Sequence, residues 1–116
     1  MVKLESLKKS NQFKKVLKEK KIHSEYFSIF AADNFYKPKN KTSLLISFVM
    51  KKKIGNAVKR NKIRRKLKAI VHKLLKKRGA ISRDYTYIVF GKSNAYAEKQ
   101  NVLMPAMINC FKKLSK

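Results

Sequence analysis

The chain has 116 residues, of which 31 are lysine or arginine and only 6 are aspartate or glutamate, so its formal net charge is +25. This length forms a single domain, and a hydrophobic content of 44% is enough for a modest core and too high for a disordered tail. The excess of positive charge indicates a polyanionic partner, for which nucleic acid is the natural candidate.

The same composition excludes several kinds of chemistry. The six acidic residues are scattered along the chain, and two histidines with one cysteine cannot complete a tetrahedral zinc site. We therefore predict no catalytic residue and no metal site in the protein. No apolar run approaches the roughly 20 residues of a membrane span, and no signal peptide is recognisable, so we expect a cytoplasmic protein without a membrane partner.

The first predicted element is a helix from Ser10, a suitable N-cap, to about Lys20. Its apolar side carries Phe13, Val16 and Leu17. A large apolar residue at helical spacing is usually part of a core, but Phe13 can also be a cleft wall that stacks on a base.

Two strands are predicted next, Glu25 to Asn34 and Ser43 to Met50. The first alternates with period two and is at least partly apolar on both faces, so one face can pack on helices and the other can line an aromatic groove. The alternation does not show which face packs on helices and which lines the groove. The second is a nearly continuous apolar run, which is typical of a central strand.

A long helix follows a turn at Gly55 and Asn56, and Asn56 is its predicted N-cap. One stripe of this helix is apolar and should be buried, with Arg60 in line with it at the amino end. The stripe consists of Ile63, Leu67, Ile70, Val71 and Leu74, with Leu75 at its edge. A second stripe, on another side, consists of Asn61, Arg65, Lys68 and His72. The helix amino terminus, its dipole and these cations would together attract an anion.

The simplest alternative is that this basic run is only a solvated, solubilising helix face. Such surfaces normally mix both signs of charge. Between Asp33 and Asp84 there are eighteen lysines or arginines and no acidic residue. Charge of one sign on this scale favours a phosphate-binding surface instead.

The final predicted elements are a strand from Tyr85 to Phe90 and a helix from about Asn94 to Leu114, which Pro105 would start or kink. A strand, a long helix and a strand in succession predict a βαβ unit.

The segment from Lys52 to Lys68, KKIGNAVKRNKIRRKLK, closely resembles the signature of the bacterial ribonuclease P protein subunit, S-K-K-[IV]-G-x-A-V-x-R-N-R-[IV]-K-R-x-[IL]-R. The order of elements around it agrees along nearly the whole chain. The departures are Lys51 for serine, Lys62 and Lys68 for arginine, and Leu17 for a frequent phenylalanine. Lysine keeps the charge but loses the two-pronged geometry of arginine.

The resemblance implies an α+β fold in a single domain, with a four-stranded sheet and three helices in the order α-β-β-β-α-β-α. It also implies a short fourth strand near Lys51 to Ile54 and a left-handed βαβ crossover. General rules would favour the right-handed form.

The resemblance further implies a protein that binds a large catalytic RNA in a one-to-one complex, together with the single-stranded 5′ leader of precursor transfer RNA. The RNA, with Mg²⁺ that it holds itself, would cut the phosphodiester, and no obligate protein partner is expected. Residues matched to the surface for the catalytic RNA are Lys52, Lys53, Asn56, Arg60, Asn61, Arg64, Arg65 and Lys68. Residues matched to the leader cleft are Phe13, Leu17, Phe27, Ile29, Phe48 and Met50.

Two other functions are compatible with the charge. A ribosomal protein or RNA chaperone would explain the size and the aromatic strand, but not the R-N-x-x-R-R spacing that follows K-K-x-G-N-A-V. A cationic membrane-active protein is disfavoured, because the apolar stripe of the long helix is needed as core by the flanking strands.

Overall fold

The computed structural model describes residues 3–7, 10–33, 43–77, 81 and 85–114. Its helices are α1 (Ser10–Leu17), α2 (Ala57–Leu75) and α3 (Gln100–Leu114). Its strands are β1 (Lys3–Glu5), β2 (Lys20–His23), β3 (Phe27–Asp33), β4 (Ser43–Val49) and β5 (Tyr85–Gly91). Short 3-10 turns precede α2 at Lys52–Ile54 and α3 at Ser93–Ala95.

The strands form one mixed sheet in the order β1-β4-β5-β3-β2. β4 is parallel to β5 and to β1, whereas β3 is antiparallel to both β5 and β2. Because β4 and β5 are parallel neighbours joined through α2, the predicted βαβ unit is confirmed. From α1 onward the predicted α+β order α-β-β-β-α-β-α is also confirmed. The left-handed crossover stays a prediction.

The predicted position of the short fourth strand, near Lys51 to Ile54, was wrong. Lys52–Ile54 forms a 3-10 turn, and the additional strand is β2, which lies where the first helix was expected to continue to Lys20. The helix ends at Leu17 because the chain must turn to bring β2 beside β3, with Ile22 opposite Ile29. The three-residue β1 adds a fifth strand at the other edge, in a segment where no element was predicted.

Helices α2 and α3 cover one face of the sheet. The whole predicted apolar stripe of α2 is buried there, against alternate residues of the central strands such as Phe27, Ile29 and Val89. α3 adds Leu103, Met107 and Phe111 to this core. The helix begins at Gln100 rather than near Asn94, and Pro105 lies inside it rather than at its start.

Helix α1 covers only part of the opposite face. Val16 is buried against Ala32 and Ile88, and the N–H of Leu7 donates a hydrogen bond of 2.8 Å to the Ser47 hydroxyl oxygen beneath it. The hydrophobic side chains packed around this cluster are only partly buried, and they are Phe13, Phe30, Val49 and Phe90. The sheet therefore has one closed face and one partly open face.

A close contact at the end of β5 requires a residue without a side chain. A Cβ atom on Gly91 would lie 2.4 Å from the Met50 sulfur and 2.9 Å from the Ile63 Cγ2 atom. Gly91 therefore allows the end of β4 and the second turn of α2 to close over β5.

We expect Gly91→Ala to lower the free energy of unfolding by about 1–3 kcal/mol, the usual cost of overpacking a core. Urea denaturation followed by circular dichroism measures this loss, with Ser93→Ala on the exposed neighbouring turn as the control. A loss below about 0.5 kcal/mol would show that Met50 and Ile63 move aside freely.

Candidate nucleic-acid interface

The turn before α2 places three lysines in solvent around a single buried anchor. Lys51, Lys52 and Lys53 are exposed, whereas Ile54 is buried in the core. Gly55 then adopts a φ of +154°, and a Cβ atom there would lie 2.8 Å from the Lys59 Cδ atom. A glycine is therefore required at the point where the chain enters the helix.

Asn56 caps α2 as predicted. Its side-chain oxygen accepts a hydrogen bond of 2.9 Å from the Lys59 N–H group, and the first N–H groups of the helix have no acceptor within the helix. The first turn contains no acidic residue. The amino end of α2 is therefore positive in both its backbone dipole and its side chains.

The second predicted stripe of α2 is exposed along its full length. We call it the α2 surface, and it consists of Asn61, Arg65, Lys68 and His72. Arg64 lies at its edge, where its guanidinium donates a hydrogen bond of 2.7 Å to the Asn61 side-chain oxygen. This bond holds a cationic side chain against the surface in a fixed direction.

Arg60 has a different environment from the other arginines. It is half-buried in line with the apolar stripe, as predicted, and its Nε atom is buried without a hydrogen-bond partner among the described residues. A buried N–H without an acceptor costs free energy, so this arginine is held in a less favourable environment than the exposed cations of the α2 surface.

The lysines on the opposite flank of α2 contact the protein itself. The Lys66 ammonium donates to the carbonyl oxygens of Tyr96 and Glu98, the latter at 2.9 Å. Lys59 donates to the Ser93 hydroxyl at 3.0 Å, and Lys73 donates to the Gln100 side-chain oxygen at 2.6 Å. These three cations are therefore engaged with the loop before α3 and with α3 itself.

The ammonium group of Lys66 is partly desolvated where it makes these contacts. Desolvation lowers the pKa of Lys66, repulsion from Lys62 lowers it further, and the nearby Glu98 carboxylate opposes the change. The helical wheel places Lys66 and Lys73 on the opposite side of α2 from the α2 surface, but it could not predict their acceptors, because those of Lys66 lie on a loop about thirty residues away.

The predicted cleft residues do not lie together. Phe27 and Ile29 have no exposed surface, and Met50 and Phe48 pack with them under α2 and α3, so these four do not line the open face. Both faces of β3 are apolar, so its alternation left open which set of side chains the helices would cover. Phe13 and Leu17 lie on α1 beside the open face, and Leu17 is 37% exposed.

The aromatic residues that do line the open face are Phe30 and Phe90, whose rings meet edge to face at 5.4 Å between centroids. His23 adds a third ring, 6.0 Å from that of Phe30, and bonds through Nδ1 to the Ser28 hydroxyl at 2.6 Å. Phe30 belongs to the alternate set of β3 side chains that does not contain Phe27 and Ile29, and the sequence left open which set faces this side.

A cavity of about 360 Å³ connects the aromatic face to the lysine turn. It is lined by Lys51, Lys53, Ile54, Phe90, Gly91, Lys92 and Ser93. The Lys51 ammonium lies 5.5 Å from the centroid of the Phe90 ring. An aromatic face beside ammonium groups suits a nucleotide, because the base can stack while the phosphate is neutralised.

Among the described residues, no three histidine, cysteine, aspartate or glutamate side chains come together as a metal site. No helix in the described part of the chain is long and apolar enough to cross a membrane.

The family model for ribonuclease P matches residues 1–115. The chain belongs to the ribonuclease P protein family. It is 28% identical over 108 residues to the ribonuclease P protein component of Mycoplasma mycoides, an alignment that covers 93% of this chain and 94% of that protein. Members of this family are the protein component of ribonuclease P, an endoribonuclease that processes transfer RNA. The RNA partner of the family is ribonuclease P RNA.

Solved structures of ribonuclease P proteins show the same fold. The protein from Thermotoga maritima matches with a TM-score of 0.73 and 22% identity, over 94% of this chain and 96% of that one. A Staphylococcus aureus ribonuclease P protein mutant with defective mRNA degradation activity also matches with a TM-score of 0.73, at 21% identity over 95% of this chain and 87% of its own.

Proposed function

We propose that this chain binds the catalytic RNA of ribonuclease P, one protein to one RNA, through the α2 surface and the lysine turn before it. The observation that carries the proposal is that α2 is amphipathic, with one side apolar and the other cationic. Its apolar stripe is fully buried, while Asn61, Arg65 and Lys68 project together into solvent from a segment without a single carboxylate.

The physical contribution of this surface is electrostatic. Each lysine or arginine that neutralises a phosphate releases condensed counterions, which favours binding and reduces repulsion between two RNA strands brought together. Mg²⁺ held by the RNA would supply the Lewis acid for cleavage, and the protein would help the RNA keep that ion by offsetting phosphate charge around it. The described residues of the protein take no part in bond breaking in this proposal.

We further propose that the single-stranded 5′ leader of precursor transfer RNA crosses the open sheet face beside α1. Phe30 and Phe90 offer ring edges and faces for base stacking, and Phe13 and Leu17 form the neighbouring wall. The cavity at Lys51 joins this path to the surface for the catalytic RNA. One small domain would thereby hold the substrate strand next to the ribozyme that cuts it.

Reconstitution tests the proposal directly. Mixed with a bacterial ribonuclease P RNA at low Mg²⁺ concentration, the protein should increase the rate of cleavage of precursor transfer RNA, measured by gel electrophoresis of the released leader. The protein alone, free of RNA, should leave the substrate intact. Unchanged cleavage on addition of the protein would refute the proposed function.

The α2 surface is tested by the salt dependence of binding to ribonuclease P RNA. Arg65→Ala should weaken binding and reduce the slope of log K against log salt concentration by about one unit for each lost phosphate contact. Lys113→Ala, which removes the same charge from the exposed side of α3, should leave the slope unchanged. Equal slopes for wild type and Arg65→Ala would show that Arg65 contacts no phosphate.

The open face is tested with substrates that differ only in the leader. Phe90→Leu keeps apolar volume but removes the ring, so affinity of the reconstituted enzyme for precursor transfer RNA should fall by about fivefold or more, while affinity for mature transfer RNA should not change. Phe48→Leu makes the same change on the closed face and should cause no selective loss. A parallel loss for both RNAs in Phe90→Leu would place the leader elsewhere.

A further inference from the structure

A second cavity lies on the other flank of α2, away from the α2 surface. We call it the tyrosine cavity; its volume is about 450 Å³, and it opens to solvent. It is lined by Glu25, Tyr26, Lys59, Ser93, Asn94, Tyr96, Ala97 and Glu98. Three segments form it: the turn between β2 and β3, the first turn of α2, and the loop between β5 and α3.

Hydrogen bonds between these three segments hold the cavity in shape. The Lys92 N–H donates to the Tyr26 carbonyl oxygen at 2.9 Å, and the Asn94 amide donates to the Glu25 carbonyl oxygen at 3.3 Å. Lys66 binds the carbonyl oxygens of Tyr96 and Glu98 from below. The cavity is therefore formed before any ligand arrives, which lowers the entropy cost of binding.

The charges in this cavity are unusual for so basic a protein. The structure describes the side chains of three glutamates, Glu19, Glu25 and Glu98, and two of them line this one cavity. The Glu98 carboxylate lies near enough to Lys66 to oppose the lowering of the pKa of that lysine. Desolvation raises the pKa of the Tyr26 hydroxyl, and the nearby carboxylates of Glu25 and Glu98 raise it further; the Glu25 carboxylate also accepts a hydrogen bond from this hydroxyl, which leaves its other lone pairs for a ligand.

The aromatic walls are accompanied by ammonium groups at the rim. Lys59 and Lys62 place their Nζ atoms 5.2 and 4.8 Å from the centroid of the Tyr96 ring. Tyrosine rings stack on nucleobases, and lysines attract the phosphate of the same nucleotide. A nucleotide of single-stranded RNA therefore suits both features of the cavity.

The carboxylates decide which base fits. A carboxylate only accepts hydrogen bonds, and guanine is the base whose Watson–Crick edge presents two adjacent donors, N1–H and the 2-amino group. Its O6 and N7 atoms are acceptors that match the donors of Lys59 and Asn94. Adenine has an acceptor at N1, and its lone pair would repel the carboxylate oxygen. We propose that the tyrosine cavity binds one unpaired guanine base.

This site goes beyond the proposed function, since it is separate from both the α2 surface and the open sheet face. Its test uses free nucleotides and the full-length protein, so its result does not depend on cleavage of precursor transfer RNA. The dissociation constants of 5′-GMP and 5′-AMP are measured by NMR titration at one salt concentration. Because both carry the same phosphate, any non-specific attraction to the basic protein cancels in their ratio.

We expect 5′-GMP to bind at least about fivefold more tightly than 5′-AMP, the lower end for a good two-bond base contact. Of the variants Glu25→Gln and Glu98→Gln, the one that removes the carboxylate facing the base should reduce this preference to less than twofold. Tyr96→Ala should weaken the binding of both nucleotides. The control Glu19→Gln removes the same charge outside the cavity and should keep the full preference. Equal affinities for the two nucleotides in the wild-type protein would overturn the proposal, as would a preference that survives both cavity glutamine variants.

Discussion

Burial of the apolar stripe of α2 is the interaction on which the rest of the molecule depends. Ile63, Leu67, Ile70, Val71 and Leu74 are all without significant exposure. Their packing against β4 and β5 fixes the rotation of the helix about its own axis, and that rotation decides which cations face solvent and which face the protein. The α2 surface, the Lys66 contacts and the tyrosine cavity all follow from that one choice of orientation.

The same arrangement has an energetic cost that a partner would remove. A net charge of +25 on 116 residues makes the folded chain repel itself, and compact folding brings these charges closer together than in the unfolded chain. A polyanion that binds only the folded form stabilises it by mass action. The Arg60 Nε has a similar cost on a local scale, because it is a buried donor without a hydrogen-bond partner among the described residues.

The sequence predicted α2 in detail because its signals are local. A glycine and an asparagine mark its start, and five apolar residues recur at helical spacing, so the cap, the buried stripe and the exposed stripe were all confirmed. Strand β2 was missed because it has four residues and derives its stability from pairing with β3. The same holds for β1, whose partner lies forty residues further along the chain.

Two features of the interface were beyond sequence reasoning for physical reasons. Strand β3 is apolar on both faces, so periodicity separates Phe27 and Ile29 from Phe30 without saying which set faces the open side. Likewise, the helical wheel places Lys59, Lys62 and Lys66 on one flank but cannot show that the loop before α3 supplies their acceptors.

Lys66 acts as a covalently tethered counterpart of a bound metal ion, with backbone oxygens gathered around a single positive centre. A diffusible ion would leave such a position when its concentration fell or when a competing ion rose. A tethered ammonium does not exchange with the medium, and its partners are uncharged carbonyls at close range, where screening is weak. The ionic conditions that detach a polyanion from the outside of α2 should consequently leave the inner scaffold of the loop in place, ready for the next round of binding.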